Sequence, residues 1–230
     1  MRSLVINSHV DSTTALARLL DSLQAATGFD RTHIKIVVGG CTDATDEHSI
    51  YSVSTDATRP NIEWIRTRRD SIDFTALLAC IDLFGHRPAD EYFYIHDTCV
   101  VDVSFFKRIG DISLAQGQMS RSIGRLHMSM NMGIYTQSWL TTFQSQTELF
   151  RNTDGCRAQF KRRCIDMEDW FFRNDPTNTV IGAGLTEVLP PTDVYGRGVM
   201  RRGEVYRDVG LTKWKANWCL RTDGAYQLGN

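Results

Sequence analysis

The chain has no long apolar run. None of its hydrophobic stretches approaches the ~18 residues that span a bilayer, so no transmembrane segment is expected. An excess of one charge is also missing. Its 26 Lys and Arg against 27 Asp and Glu leave a formal net charge of −1, which argues against a dedicated nucleic-acid binder. No Cys-x-x-Cys pair occurs. The six cysteines (Cys41, Cys80, Cys99, Cys156, Cys164, Cys219) are scattered, so they read as reduced thiols and a zinc site is not expected. Met1-Arg2 leads almost directly into Leu4-Val5-Ile6 with no signal-peptide core, and a cytoplasmic location is expected. No Gly-x-Gly-x-x-Gly follows the first apolar run, which argues against a dinucleotide-dependent oxidoreductase. There is no internal repeat and no dividing linker, so one domain over residues 1–230 is expected.

What is present is an alternation of short apolar runs with amphipathic stretches. Residues 3–10 read as a strand, 12–27 as a helix with Leu16, Leu19, Leu20 and Leu23 on one face, and 34–38 as a second strand closed by Gly39-Gly40. Asp11 or Ser12 is placed to cap that helix and Gly28 to end it. A short strand at 62–66, a helix at 71–84 and a strand at 92–95 follow. This order predicts an α/β fold whose mostly parallel central sheet is flanked by helices, with right-handed crossovers. Beyond residue 101 the pattern loosens: a short helix from 104 to 109, a strand or turn at 128–135, a helix at 138–150, and an apolar stripe of Phe160, Cys164, Met167 and Phe171 along 157–173. The segment 190–217, with Gly196, Gly198, Gly203 and Gly210 among Arg and Lys, is expected to be an ordered but mobile basic loop.

One stretch organises the chain: Glu91-Tyr-Phe-Tyr-Ile-His-Asp-Thr-Cys-Val-Val101. Its apolar part is too short for a helix of its own and runs into His96-Asp97. A buried parallel strand ending in a carboxylate places that charge at the carboxyl edge of the sheet, where open α/β sheets bind ligands.

Four motifs carry a resemblance. Val5-Ile-Asn-Ser-His9 sits where GT-A glycosyltransferases of the broad inverting family 2 type often have Val-Ile-Pro-Thr-Tyr. Val38-Gly-Gly-Cys-Thr-Asp-Ala-Thr45 resembles their Val-Asp-Asp-Gly-Ser-Thr-Asp-Gly-Thr turn, one position compressed. Ile95-His-Asp-Thr98 is similar to the Asn-Asn-Asp-Thr variant of their metal motif, and Met167-Glu-Asp-Trp170 to their later Glu-Asp pair. The chain departs from the pattern in three ways. The base-recognising acid after the second strand is Gly39, the metal motif keeps one carboxylate, and the Gln-x-x-Arg-Trp signature of processive members is absent.

The resemblance implies a Rossmann-like GT-A domain with a nucleotide-binding half at 1–101 and an acceptor-side half at 102–230. It implies transfer of one sugar from a nucleotide-sugar donor to a hydroxyl of a glycan, lipid-linked or protein acceptor, with inversion. Asp97 would ligate Mn²⁺ or Mg²⁺, which offsets charge on the departing diphosphate; its structural alternative is a strand-end Asp capping the next turn. His96 would be a second ligand, a sugar or ribose contact, or a hydrogen-bonded structural residue. Ser8, His9, Gly39 and Arg69 join His96 on the nucleotide side, and Asn131, Met132 and Gly133 line the donor and acceptor cleft. Asp169, with Glu168 in reserve, would be the general base. On one straight helix Asp169 would face solvent, whereas a break near Ile165-Asp166 would aim it at the cleft. Acids there also suit a helix N-terminus. Arg201, Arg202 and Lys213 would contact the phosphates, or else form a solvated basic surface.

Three further classes are open to comparison. A non-catalytic nucleotide-sugar or glycan binding module shares the fold and differs only in turnover. A sugar nucleotidyltransferase needs a glycine-rich phosphate loop after the first strand, and Asn7-Ser-His-Val-Asp11 provides none. A Cys99–His96 nucleophile is disfavoured because neighbouring strand side chains point apart.

Overall fold

The first apolar run, β1 (Arg2–His9), has six consecutive buried residues, the mark of a strand covered on both faces. The computed structural model describes residues 2–42, 50–87, 90–124, 131–150 and 167–216. The further strands are β2 (Ile34–Gly39), β3 (Tyr51–Thr55), β4 (Ile62–Thr67), β5 (Glu91–His96), β6 (Cys99–Val101), β7 (Ser120–Ser122), β8 (Gly133–Thr136), β9 (Thr179–Val180), β10 (Glu187–Thr192), β11 (Arg201–Tyr206) and β12 (Leu211–Ala216). The α-helices are α1 (Thr13–Ala25), α2 (Thr75–Phe84), α3 (Phe105–Asp111), α4 (Gln137–Thr142) and α5 (Trp170–Arg173).

Eight strands form the main sheet in the order β3-β4-β2-β1-β5-β8-β7-β9. β3 and β8 run against the other six, so the sheet is mixed but mostly parallel, and the protein is α/β as expected. Alternate side chains sort to two cores. Leu4, Ile6, Phe93 and Ile95 pack with Leu16, Leu19 and Leu23 of α1 and with Phe105, Phe106 and Ile109 of α3. Val5, Tyr92 and Tyr94 pack with Leu77, Leu78 and Ile81 of α2 on the other face. The chain leaves β1 toward β2 and β4, then returns to pair β5 on β1's other side. The carboxyl ends of β1 and β5 therefore flank the topological switch point.

A second, four-stranded sheet has the order β10-β11-β12-β6. This corrects the mobile-loop expectation for 190–217: Arg201–Tyr206 and Leu211–Ala216 are antiparallel strands. Their charges hide a period-2 pattern. Tyr206 and Leu211 pair in register and enter the core, while Glu204–Lys213 and Arg202–Lys215 are the pairs that follow on the same face. Gly210 turns the chain between the two strands at φ 66°.

The expected helix at 71–84 is also divided. A 3₁₀ turn, Ile72–Phe74, precedes α2, and Ile72 has φ 50°, a region β-branched residues seldom adopt. Three side chains hold this turn. Asn7 Nδ2 donates to the Ile72 carbonyl at 3.0 Å, while Tyr94 and Asn131 both donate to the Asp73 carbonyl. Asn7 Oδ1 also accepts from the Ala76 N–H at 2.9 Å, capping α2 from a neighbouring strand. The expected helix at 138–150 is α4 followed by a separate 3₁₀ turn, Thr147–Phe150. Most of 157–173, with the break expected near 165–166, lies outside the described residues.

Asn7→Ala leaves a buried N–H and a buried carbonyl without their partners. The expected loss is about 2–3 kcal/mol of unfolding free energy in urea denaturation. A loss under about 0.5 kcal/mol would show that Asn7 does not secure the turn.

Candidate functional site

β5 belongs to the main sheet and β6 to the second, and the turn between them is Asp97-Thr98. The turn is anchored from both sides. The Asp97 N–H donates to the Asn7 carbonyl at 3.0 Å, and the Trp214 N–H donates to the Thr98 carbonyl at 2.8 Å. Strand alternation sends Asp97 to the α1 face, like Phe93 and Ile95, and His96 to the α2 face, like Tyr94.

Asp97 is buried at 7% exposure. Ser8 Oγ donates to its Oδ2 at 2.9 Å, and the Ser12 hydroxyl bonds it too. Ser12 occupies the N-cap position of α1 but makes no side-chain cap there, so an expected capping residue serves the carboxylate instead. Burial pushes the Asp97 carboxyl above its usual range, against the Lys213 charge and the serine hydroxyls, which pull it down.

His96 is buried with it. Its Nδ1 lies 2.8 Å from Lys213 Nζ, and the same ammonium donates to Thr98 Oγ1 at 2.6 Å. An ammonium only donates, so Nδ1 accepts and the ring proton resides on Nε2. Nε2 is buried and has no hydrogen-bond partner among the described residues. Burial, and after it the Lys213 charge, lowers the His96 pKa to about 3, so the ring is neutral near pH 7. The 3.8 Å approach of Asp73 Oδ1 to Nδ1 is therefore not an ion pair.

The structure brings Ser8, His96, Asp97 and Lys213 together and distributes the other expected residues around them. His9 sits at the end of β1 with Nδ1 accepting from the Asp11 N–H and Nε2 3.5 Å from Asp70. Gly39 faces protein rather than open space: a Cβ there would lie 2.8 Å from the Arg69 carbonyl and 3.1 Å from Thr75. At Gly40, with φ 74°, a Cβ would run into the His9 ring. Arg69 turns to Asp82 of α2 at 3.1 Å and covers the Tyr51 ring, so its guanidinium serves α2 rather than the switch point. Asn131 reaches Asp73, whereas Met132 is core, with its sulfur 3.6 Å from Cys99 Sγ. Gly133, at φ 150°, allows close approach by protein: a Cβ would collide with the Arg121 carbonyl and the Phe172 ring. Arg202 is ion-paired to Glu204 at 2.8 Å, and Arg201 covers Tyr195.

Asp169 precedes α5 and is buried at 8% exposure, rather than turned to solvent. Arg173 Nη1 is 3.7 Å from its carboxylate. Burial, and then the Asp169 charge, holds the Tyr135 hydroxyl well above its usual range. Tyr135 donates to the Asn131 carbonyl at 2.9 Å, and Asn131 donates to the Asp73 carbonyl, so hydrogen bonds link Tyr135 to the turn beside His96. Glu168 is half-buried beside it. Sequence reasoning missed Ser12, Asp73, Thr98 and Glu204. Asp73 carried a usable signal, an acid just before the apolar run of α2. Thr98 and Glu204 gain their roles only through strand pairing.

An Mn²⁺ or Mg²⁺ ion at Asp97 would need converging oxygen donors. Among the described residues no three His, Cys, Asp or Glu side chains are grouped to hold a metal ion. His96 offers no free lone pair, because Lys213 occupies Nδ1 and Nε2 bears the proton. Lys213 also adds its charge beside Asp97. A like charge ~4 Å away repels by about 4 kcal/mol per unit charge at an effective dielectric of ~20. Among the described residues the donor set around Asp97 does not fit a divalent cation.

No protein-family model and no curated protein matches the chain. Among solved structures, the glycosyltransferase GlyE of Streptococcus pneumoniae TIGR4 is similar over 79% of this chain, at 9% identity and a TM-score of 0.47. Galactosyltransferase LgtC, in complex with donor and acceptor sugar analogues, is similar over 80% of this chain and 74% of its own, at 11% identity and TM-score 0.44. TarS of S. aureus (residues 1–349) is similar over 80% of this chain, at 13% identity and TM-score 0.45. The chain spans 46% of the GlyE chain and 58% of the TarS chain. Overlaps this loose leave the functional assignment to the residues of this chain. No helix among the described residues is long and apolar enough to cross a membrane.

In a ¹⁵N-detected titration, His96 is expected to remain neutral with its proton on Nε2 from about pH 8 to about pH 5. Because the Lys213 charge lowers the His96 pKa, Lys213→Met should move the titration upward. A wild-type midpoint near 6.5, the ordinary histidine value, would contradict the arrangement.

Proposed function

We propose that this chain transfers one sugar from a nucleotide-sugar donor to the hydroxyl of an acceptor, which is a glycan, a lipid-linked sugar or a protein. The observation that carries the reading is the buried group of Asp97, His96 and Lys213 at the switch point of a mostly parallel sheet. Ligands of open α/β sheets lie there, outside the carboxyl ends of the strands. A cationic ammonium held by a neutral imidazole, with an N–H to spare, suits an anion, and the diphosphate is the anionic part of such a donor.

In this reading the diphosphate rests on Lys213, which His96 and Thr98 orient. The acceptor hydroxyl approaches the anomeric carbon from the opposite side, and its proton passes to a carboxylate as the new bond forms. Asp169 is the proposed base and Glu168 its reserve; inversion follows from a single displacement of this kind. The Asp169 charge acts on Tyr135, which bonds Asn131 as Asn131 bonds Asp73, and this supports placing Asp169 on the His96 side of the sheet. Gly39 and Gly40 are packed against Arg69 and His9, so in this reading His9 stands on the nucleoside side of the site.

The test is product formation from a panel of nucleotide sugars and acceptors, read by mass spectrometry. Asp97→Ala should lower kcat/KM by about 10²–10³-fold, and Asp169→Asn by about 10²-fold, with circular dichroism unchanged. Tight donor binding without transfer or hydrolysis by the wild type would instead identify a binding module. Full turnover in both variants would remove the roles given to these carboxylates.

A further inference from the structure

The buried lysine carries the reading one step further. β12 places Lys213 opposite Glu204 of β11 and Cys99 of β6. Glu204 is the natural counter-charge, yet its oxygens are engaged by Arg202 at 2.8 Å, Tyr206 at 3.0 Å and Lys215 at 3.5 Å. Lys213 donates to two neutral groups, His96 Nδ1 and Thr98 Oγ1. Among the described residues no carboxylate oxygen lies within 4.0 Å of its Nζ, although the residue is only 7% exposed. A buried cation without a direct counter-ion is costly to the fold. It points to an anion that arrives from outside.

The donors left over agree. Two of the three N–H groups of the ammonium are used, and the third has no partner among the described residues. His96 Nε2–H, on the far side of the ring from the ammonium, is buried and also has no partner there. The ammonium acts on Asp97, where among the described residues the donor set does not fit a divalent cation.

We infer that Lys213, supported by His96, supplies the positive charge that offsets the departing diphosphate, so that this chain binds its donor and transfers the sugar without a divalent cation. The inference rests on the sugar-transfer reading above. As the bond from the anomeric carbon to the β-phosphate oxygen breaks, its electron pair stays on that oxygen. Lys213 keeps its proton and donates a hydrogen bond to the new charge. The acceptor oxygen forms the new bond to the anomeric carbon, and its proton goes to Asp169. No other reactant is needed.

The experiment is calorimetric titration of the full chain with UDP, GDP, CDP and ADP, once in EDTA and once with excess Mn²⁺. One of these diphosphates is expected to bind in EDTA, with Mn²⁺ changing its affinity by less than about threefold. Lys213→Met should weaken that binding by about 10- to 100-fold, and Lys213→Arg should restore part of it. Thermal unfolding of each variant separates loss of the site from loss of the fold. Binding that needs Mn²⁺, or a folded Lys213→Met variant that binds like wild type, overturns the inference and leaves sugar transfer standing. Absence of binding by every diphosphate in both conditions overturns the sugar-transfer reading as well.

Discussion

The structure depends on one turn. Asp97 and Thr98 join a strand of the main sheet to a strand of the second, and each sheet anchors the turn through a backbone hydrogen bond. Because the side chains of a strand alternate, this junction sends Asp97 to one face and His96 to the other. The second sheet then brings Lys213 across the rim to meet them. Moving the turn by one residue would exchange the faces and dissolve the group. The same junction thus fixes the packing of two sheets and the chemistry at their edge.

The surroundings hold that group with little freedom. Asp73 is kept beside His96 by a backbone turn at an unfavourable φ, and three side chains from β1, β5 and the segment before β8 secure that turn. Ser8 and Ser12 hold the carboxylate from the β1 and α1 side. Several of these polar groups are buried, and each needs its partner, since a buried donor or acceptor left alone costs roughly 1–3 kcal/mol. An edge built this way is preorganised, which is what electrostatic stabilisation of a developing charge requires.

The first hundred residues were legible where one physical signal dominates. The apolar runs at Leu4–Ile6, Ile34–Val38 and Tyr92–Ile95 can be little else but buried strands, and a carboxylate after the last of them falls at the ligand-binding edge. Lys213 stood out in the sequence only as a candidate phosphate contact by its type, and its partners did not, because the strand pairing that delivers it is non-local. The strands of the second sheet were read as loop because arginine, lysine and glycine interrupt the alternation that two apolar residues, Tyr206 and Leu211, carry alone. Asp73 was hidden inside a stretch read as one helix. The break there comes from tertiary hydrogen bonds that no local propensity encodes. Gly39 and Gly133 were read as facing a ligand, but the close neighbour is protein in both places.

A crystal structure with the nucleoside diphosphate that binds most tightly tests the central claim directly. The account predicts a phosphate oxygen within hydrogen-bond distance of Lys213 Nζ, at the carboxyl ends of β1 and β5. A diphosphate lying away from that edge, with Lys213 still closed on His96 and Thr98 alone, would contradict it.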